Sequence, residues 1–433
     1  MNITVVGMGK IGLPLAVQFA EKGHTVFGAD VNPRTVELIN AGTEPFPGEA
    51  LLDVKLAEAV TSGALTATLD TTDAVGRSDA VVIVVPLFVD IEGVPDFGWM
   101  DNATEAVGRG LKAGTLVSYE TTLPVGTTRT RFTPMLEELA GLSAGTDFHV
   151  VFSPERVRTG RIFEDLSKYP KLVGGVDDSS AQRGIAFYEA VLDFDDRPDL
   201  PRPNGVWDLG SSEASELSKL AETTYRDVNI GLANQFARYA DSQGIDVYSV
   251  IDACNSQFYS HIHLPGIAVG GHCIPIYPQM YLWNDPEATI VRAARAANRA
   301  MPQYAVALLE KHHGSLEGQR VAVLGASYRG GVKETAFSGV FDVVDELKKA
   351  GAIPVVNDPM YTKEELEKLG FEDYEFGQEV DAVIVQANHK EYESVRAEHV
   401  PGARTVIDGR GVTSQELRSA IPTYVIGSAS VSV

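Results

Sequence analysis

Ile3-Thr-Val-Val-Gly-Met-Gly-Lys-Ile-Gly12 is a β-branched run that passes straight into Gly7-x-Gly9-x-x-Gly12. Such a run suits a strand buried on both faces of a parallel sheet. The glycines permit a tight turn and let main-chain N–H groups at a helix start come close to a pyrophosphate. That helix is predicted over Leu13 to Lys22, ended by Gly23, and Thr25-Val-Phe-Gly-Ala-Asp30 follows as a second strand. Together they make a βαβ unit. Asp30 stands 18 residues after Gly12, where a carboxylate accepts hydrogen bonds from the ribose hydroxyls of NAD and repels the 2′-phosphate of NADP. A lone glycine turn also fits a purely structural role. Strand, helix and acid together favour dinucleotide binding.

Outward from this unit, strand candidates recur at 80–86, 115–119 and 149–152, separated by helical or loop material. Alternation of this kind predicts an α/β fold, with a doubly wound Rossmann domain over residues 1–205. The Pro- and Asp-rich stretch 193–205 reads as a linker. From Ser212 to about Gln243 nothing interrupts a helical pattern in which Leu217, Leu220, Val228, Leu232, Phe236 and Tyr239 recur. That helix would run roughly 45 Å, longer than one small domain needs, so residues 206–315 are expected to form a helical domain through which two copies pair. More helix covers 287–313, with Pro302 as a break. From Gln319 the opening pattern returns as a strand ending in Gly325, a helix over 340–349 and a strand over 353–358. Residues 316–433 therefore read as a second Rossmann-like domain, although its first turn is long and is not GxGxxG.

A chain of 433 residues can bury a full core without disulfide or metal staples. Its formal net charge of −23 argues against nucleic-acid partners and against docking on an acidic membrane. Two cysteines exclude a disulfide framework and a Cys-rich metal site, and the nine histidines show no metal-binding spacing. The longest apolar run, Ala80 to Val89, is half of a membrane span and contains Pro86. With no basic leader ahead of the first strand, a cytoplasmic protein is expected.

Four residues outside the glycine turn have chemical potential. Cys273 sits in Val269-Gly-Gly-His-Cys-Ile-Pro275, a loop between helical regions. A single cysteine is most often a small buried hydrophobe, but two glycines and a proline suggest a shaped loop. A thiolate there could capture an aldehyde, and oxidation of the adduct gives a thioester. Cys254 reads as a helix-packing residue. Lys219 lies on the long helix, where a surface role is the ordinary reading. Glu155 follows Ser153-Pro154 just past a strand, and Thr122 follows another strand end. Loops that open from strand ends often carry functional side chains.

The segments VVGMGKIGLPLA, TTLPVGTT, FSPERV, ELSKLAETTYRDVNIGLANQF, PGIAVGGHCIPIYP and VAVLGASYRGGVKET occur in an order and spacing that resemble the UDP-glucose/GDP-mannose dehydrogenase family over essentially the whole chain. The resemblance implies two Rossmann-like domains, a central helical dimerisation domain, and oxidation of a nucleotide-sugar C6 alcohol to a carboxylate with two NAD reduced. It implies Cys273 as nucleophile, Lys219 as oxyanion stabiliser and acid/base partner, and Glu155 and Thr122 as residues that order substrate or water. By the same resemblance Gly7, Gly9, Lys10, Ile11, Gly12, Asp30, Pro86 and Thr122 would hold NAD. Arg156, Val157, Lys219, Thr223, Arg226, Gly270, Gly271 and Arg329 would contact the UDP-sugar.

GGHCIP and SPERV look like the branch acting on UDP-N-acetylhexosamines, with N-acetylmannosamine or N-acetylglucosamine as the sugar. Oxidation of UDP-glucose or GDP-mannose is the alternative, and a non-catalytic nucleotide-sugar sensor is the reading from another class. Retention of Cys273, Lys219 and Glu155 together speaks against a sensor. The chain departs from the family pattern at Tyr277, where Asp is usual, at Thr223 (Asn), Leu87 (Thr), Tyr259 (Arg) and Ala336-Phe337-Ser338 (Arg-Glu-Ser), with Lys333 near the last. With Tyr277 in place of an acid, Glu155 is expected to take the larger share of water activation.

Overall fold

The computed structural model describes residues 1–90, 92–158 and 160–428; residues 429–433, the end of the expected third domain, lie outside it. The chain forms two compact units, Met1–Glu222 with Gln279–Asn284, and Thr223–Pro278 with Asp285–Val433.

The first unit is built on an eight-stranded sheet: β1 (Asn2–Val6), β2 (Thr25–Ala29), β3 (Leu65–Thr68), β4 (Ala80–Ile83), β5 (Leu116–Tyr119), β6 (His149–Phe152), β7 (Lys171–Gly175) and β8 (Val206–Asp208). Their spatial order is β8-β7-β6-β5-β4-β1-β2-β3. Neighbours run parallel, Ile3 facing both Val26 and Ala80, except that β6 and β7 are antiparallel. The reversal of order on the two sides of β1 is the doubly wound signature, which places ligands at the carboxyl ends of the strands. Helix Gly12–Glu21 packs its Leu13, Leu15 and Phe19 against Ile3, Val5 and Val26 in one apolar core.

Two sequence expectations shift. The run 80–86 is strand only as far as Ile83, because after Val84 has donated to the Val6 carbonyl the chain leaves the sheet and Pro86 has no N–H to continue the ladder. The sheet also continues beyond the linker, since β8 pairs with β7 with Val206 facing Lys171. The helix predicted from Ser212 is continuous for 32 residues to Gln243, and the division between the units falls within it.

The second unit carries a five-stranded sheet: β9 (Arg320–Leu324), β10 (Ile353–Asn357), β11 (Ala382–Val385), β12 (Val406–Asp408) and β13 (Thr423–Val425), all parallel, in the order β10-β9-β11-β12-β13. The predicted second βαβ unit is β9, helix Gly339–Lys349 and β10. Helices Thr289–Arg299 and Met301–His313 meet at Ala300. Pro302 stands in the first turn of the later helix, where its missing N–H would have had no helical partner. Cys254 lies in helix Val247–Asn255. Among the described residues no helix is long and apolar enough to cross a membrane.

Candidate active site

At the carboxyl end of β1 the glycine turn is tight. Gly7 has a φ of +92°, and a Cβ on Gly12 would stand 1.9 Å from the Gly7 carbonyl oxygen, so neither position accepts a side chain. Around Gly9 a Cβ would meet nothing within 4 Å, which leaves open space above the helix start. Lys10 is exposed, Ile11 half-buried, and Pro86 is exposed just past β4. Asp30 accepts from the main-chain N–H of Met8 through one oxygen and of Asn32 through the other, both at 2.8 Å. A carboxylate has about four acceptor positions, so the one that braces the turn retains capacity for two ribose hydroxyls. These residues fit a dinucleotide.

Further along the same sheet, Glu155, Arg156 and Val157 leave β6, and Thr122 lies buried in the loop after β5. Lys219 on the long helix donates from Nζ to the main-chain carbonyl of Glu155 at 2.7 Å, so two residues singled out in the sequence meet directly. Arg156 donates from Nε to Glu222 at 3.2 Å and lies over the Tyr169 ring, while Val157 packs on the apolar core. The Glu155 carboxylate accepts from the Arg156 main-chain N–H at 2.7 Å and from the buried ammonium of Lys171 at 2.9 Å. Burial alone would raise its pKa. The charge and hydrogen bond of Lys171, the Arg156 N–H and the charge of Lys219 outweigh burial and hold it below the ordinary carboxylate range.

Sequence reasoning missed Lys171 and its other partner. Glu120, one residue past β5, receives a second hydrogen bond from the same ammonium at 2.8 Å and one from the Tyr188 hydroxyl at 2.6 Å. Glu216, also missed, lies three residues before Lys219 and receives the main-chain N–H groups of Gly126 and Thr128 and the Thr128 hydroxyl. It fixes the turn that follows Thr122.

In the second unit Cys273 is exposed, and its carbonyl accepts from the Tyr277 main-chain N–H at 2.9 Å, opening the turn into helix Tyr277–Asn284. The two glycines before it have a steric cause. A Cβ on Gly270 would stand 2.5 Å from Tyr328 Cβ and 2.7 Å from the Phe337 carbonyl oxygen, while Gly271 has a φ of +91° and donates to the Ala336 carbonyl at 2.8 Å. The cysteine loop is thus seated on the long turn after β9, and His272 adds a contact to Glu334. That turn repeats the device of the first unit: Asp358, just past β10, accepts the main-chain N–H groups of Ala326 and Ser327 at 2.9 and 2.8 Å.

Arg329 is exposed on this turn and donates to the Tyr328 hydroxyl at 3.1 Å. Lys333 places its ammonium between both oxygens of Glu365, at 2.6 and 2.7 Å, so the cation near the Ala336-Phe337-Ser338 run is engaged elsewhere. Thr223 is buried, and Arg226 is half-buried with its Nε shielded from solvent and without a hydrogen-bond partner among the described residues. Among the described residues no cluster of three or more His, Cys, Asp or Glu side chains could hold a metal.

The chain matches the UDP-glucose/GDP-mannose dehydrogenase family in three successive stretches: its NAD binding domain over residues 1–192, its central domain over 213–300 and its UDP binding domain over 322–415. It is 34% identical over 426 residues, 96% of each chain, to the UDP-N-acetyl-D-mannosamine dehydrogenase of Pyrococcus horikoshii. The solved structure of UDP-D-ManNAc dehydrogenase from that organism covers 99% of both chains with a TM-score of 0.86 at 32% identity. A UDP-glucose dehydrogenase from Pyrobaculum islandicum aligns with a TM-score of 0.83 at 31% identity, covering 95% of this chain and 94% of its own. An NDP-N-acetyl-D-galactosaminuronic acid dehydrogenase from Ralstonia solanacearum is 28% identical over 97% of this chain and 98% of its own. Glycine turn, strand-end acids, cysteine loop and full-length similarity converge: the chain belongs to the UDP-glucose/GDP-mannose dehydrogenase family and is an NAD-dependent nucleotide-sugar dehydrogenase.

Proposed function

We propose that this protein oxidises the C6 alcohol of a UDP-N-acetylhexosamine to the uronic acid, with UDP-N-acetylmannosamine as first choice. The observation that carries the four-electron reading is the seat of Cys273: an exposed thiol in a loop whose preceding glycines are packed against the turn of the UDP-binding unit. The GGHCIP and SPERV segments and the names of the relatives from Pyrococcus and Ralstonia support the N-acetylhexosamine choice.

NAD, when bound, supplies the hydride acceptor for both oxidations. Gly7, Gly9, Gly12, Lys10 and Ile11 would hold its pyrophosphate side, Asp30 its ribose, and Pro86 and Thr122 the nicotinamide side. Lys219, as the neutral amine, would take the alcohol proton in the first oxidation, and as the ammonium so formed would stabilise the oxyanion of each tetrahedral adduct. The Cys273 thiolate adds to the aldehyde carbon, and loss of hydride from that adduct leaves a thioester. Water then attacks the thioester, Glu155 takes its proton, and the thiolate leaves. Arg156, Val157, Thr223, Arg226, Gly270, Gly271 and Arg329 would contact the sugar nucleotide, the unpartnered Nε of Arg226 being suited to an anionic or carbonyl oxygen.

We also infer a cytoplasmic homodimer. The thiols of Cys254 and Cys273 are both free, and the long helix exposes Leu217, Tyr225, Leu232, Phe236 and Tyr239. The deciding experiment is NADH formation against a panel of UDP- and GDP-sugars. A preference for UDP-N-acetylhexosamines is expected. A preference for UDP-glucose, the substrate named for the Pyrobaculum relative, would replace this reading, and no NADH with any sugar would overturn it.

A further inference from the structure

Two buried carboxylates share one buried ammonium in the first unit. Lys171 is 5% exposed, Glu120 fully covered and Glu155 11% exposed. With both acids ionised the three groups would set two negative charges against the one ammonium they share, and burying excess charge is costly. The surroundings decide which acid keeps the proton. On the Glu155 side stand the Arg156 main-chain N–H and the ammonium of Lys219. Around Glu120 stand the shared Lys171, the Glu155 charge and the Tyr188 hydroxyl, with the Tyr188 ring lying under the Lys171 ammonium at 4.8 Å. Burial, outweighing the help of Lys171 and Tyr188, pushes Glu120 up to about 7, while Glu155 is lowered.

We propose that Glu120 is a positioning residue for the hydrolytic half of the reaction, setting the basicity of Glu155 through their competition for Lys171. When Glu120 carries a proton, Lys171 is left to Glu155 and holds it a weak base. When Glu120 releases the proton, the ammonium is divided and Glu155 becomes the stronger base. The hydroxyls of Tyr188 and Ser118, joined at 2.6 Å, continue from Glu120 and can carry the hydrogen-bond chain in either direction. This rests on the reading of Glu155 as the base for water.

Two measurements on the full-length enzyme test it. Infrared spectra of wild type against Glu120→Gln should contain a protonated-carboxyl stretch that disappears as pH rises through neutrality and is missing in the variant. Acid formation from the aldehyde, followed against pH, should be equal in the two proteins on the acid side. On the alkaline side the variant should be about three- to ten-fold slower in kcat with KM unchanged. Tyr188→Phe removes a bond that lowers Glu120 and should move the wild-type limb to higher pH. The pH dependence of Cys273 alkylation separates the thiol from this limb. A Glu120→Gln variant slowed equally at every pH, or one with an unchanged profile, overturns the proposal, as does the absence of the infrared band. If no nucleotide sugar yields NADH, the functional reading fails on its own, and the infrared band still decides where the proton resides.

Discussion

The ammonium of Lys219 rests on the main-chain carbonyl of Glu155 at 2.7 Å, so the long helix and the exit of β6 are tied at the residues proposed for acid/base work. Glu155→Gln keeps that bond, because it involves the main chain, and removes only the carboxylate. Loss of a positioned base typically costs about a hundred- to ten-thousand-fold. The expected result is slow hydrolysis with a covalent adduct accumulating on Cys273, seen by intact-protein mass spectrometry. Cys273→Ser should show neither adduct nor acid. Normal acid production by the serine variant would move the chemistry to another residue.

Cofactor choice follows from Asp30 and from what comes after it. Val31, Asn32 and Pro33 offer no cation, and the Arg34 guanidinium is paired with Glu37 at 2.8 Å. The enzyme is expected to favour NAD over NADP by at least about ten-fold in kcat/KM. Equal efficiency with both would refute this, and Arg34→Ala would then identify the cause.

The cysteine loop should tolerate no methyl group at its first glycine. Gly270→Ala has to push against Tyr328 and the Phe337 carbonyl, one of them rigid main chain. A cost of about 1–3 kcal/mol in stability and a large fall in NADH formation are expected. An alanine variant with wild-type melting and turnover would show that the loop is looser than its packing.

Stability should carry the imprint of Glu120. Its folded pKa of about 7 lies above the ordinary 4.5, so the folded state holds this proton more tightly than the unfolded chain. The stabilisation is complete below the unfolded value and is lost as pH rises through about 7. Compared pH by pH with Glu120→Gln, wild type should lose on the order of 1–3 kcal/mol across that window. Parallel melting curves for the two proteins at all pH values would contradict it.

Association is the last expectation. Leu232, Phe236 and Tyr239 recur at helical spacing and are 44, 38 and 63% exposed, an apolar stripe suited to a second copy. Sedimentation should find a stable dimer at micromolar concentration. A monomer there would reject the pairing.

Local pattern made some of this legible and distance hid the rest. The glycine turn with Asp30, the uninterrupted helix from Ser212 and the loop around Cys273 are contiguous signals, and each appears where spacing placed it. Lys171 was invisible for a physical reason. A lysine at the start of a strand usually points into water, and nothing near it in the chain tells that its partners lie 51 and 16 residues away on neighbouring strand exits. Glu120, two residues before Thr122, carries no such signal, since an acid at a strand end is ordinarily solvated. The glycines before Cys273 announced a shaped loop, but not Tyr328 as its neighbour. That contact depends on how the second sheet's first turn folds back.

The seat of that loop also governs how the gene can be recombined. Gly270 and Gly271 are fitted to Tyr328, Ala336 and Phe337, and Gly339 and Gly409 are likewise closed against Ala268 and Ile267. The segment carrying Cys273, proposed above as the nucleophile, is therefore packed as part of the nucleotide-binding half, even though it lies before that half begins in the chain. A chimera joined at residue 316 would part the cysteine loop from the turn to which its glycines are fitted. A junction placed before residue 266 would keep the cysteine with the surface that shapes it.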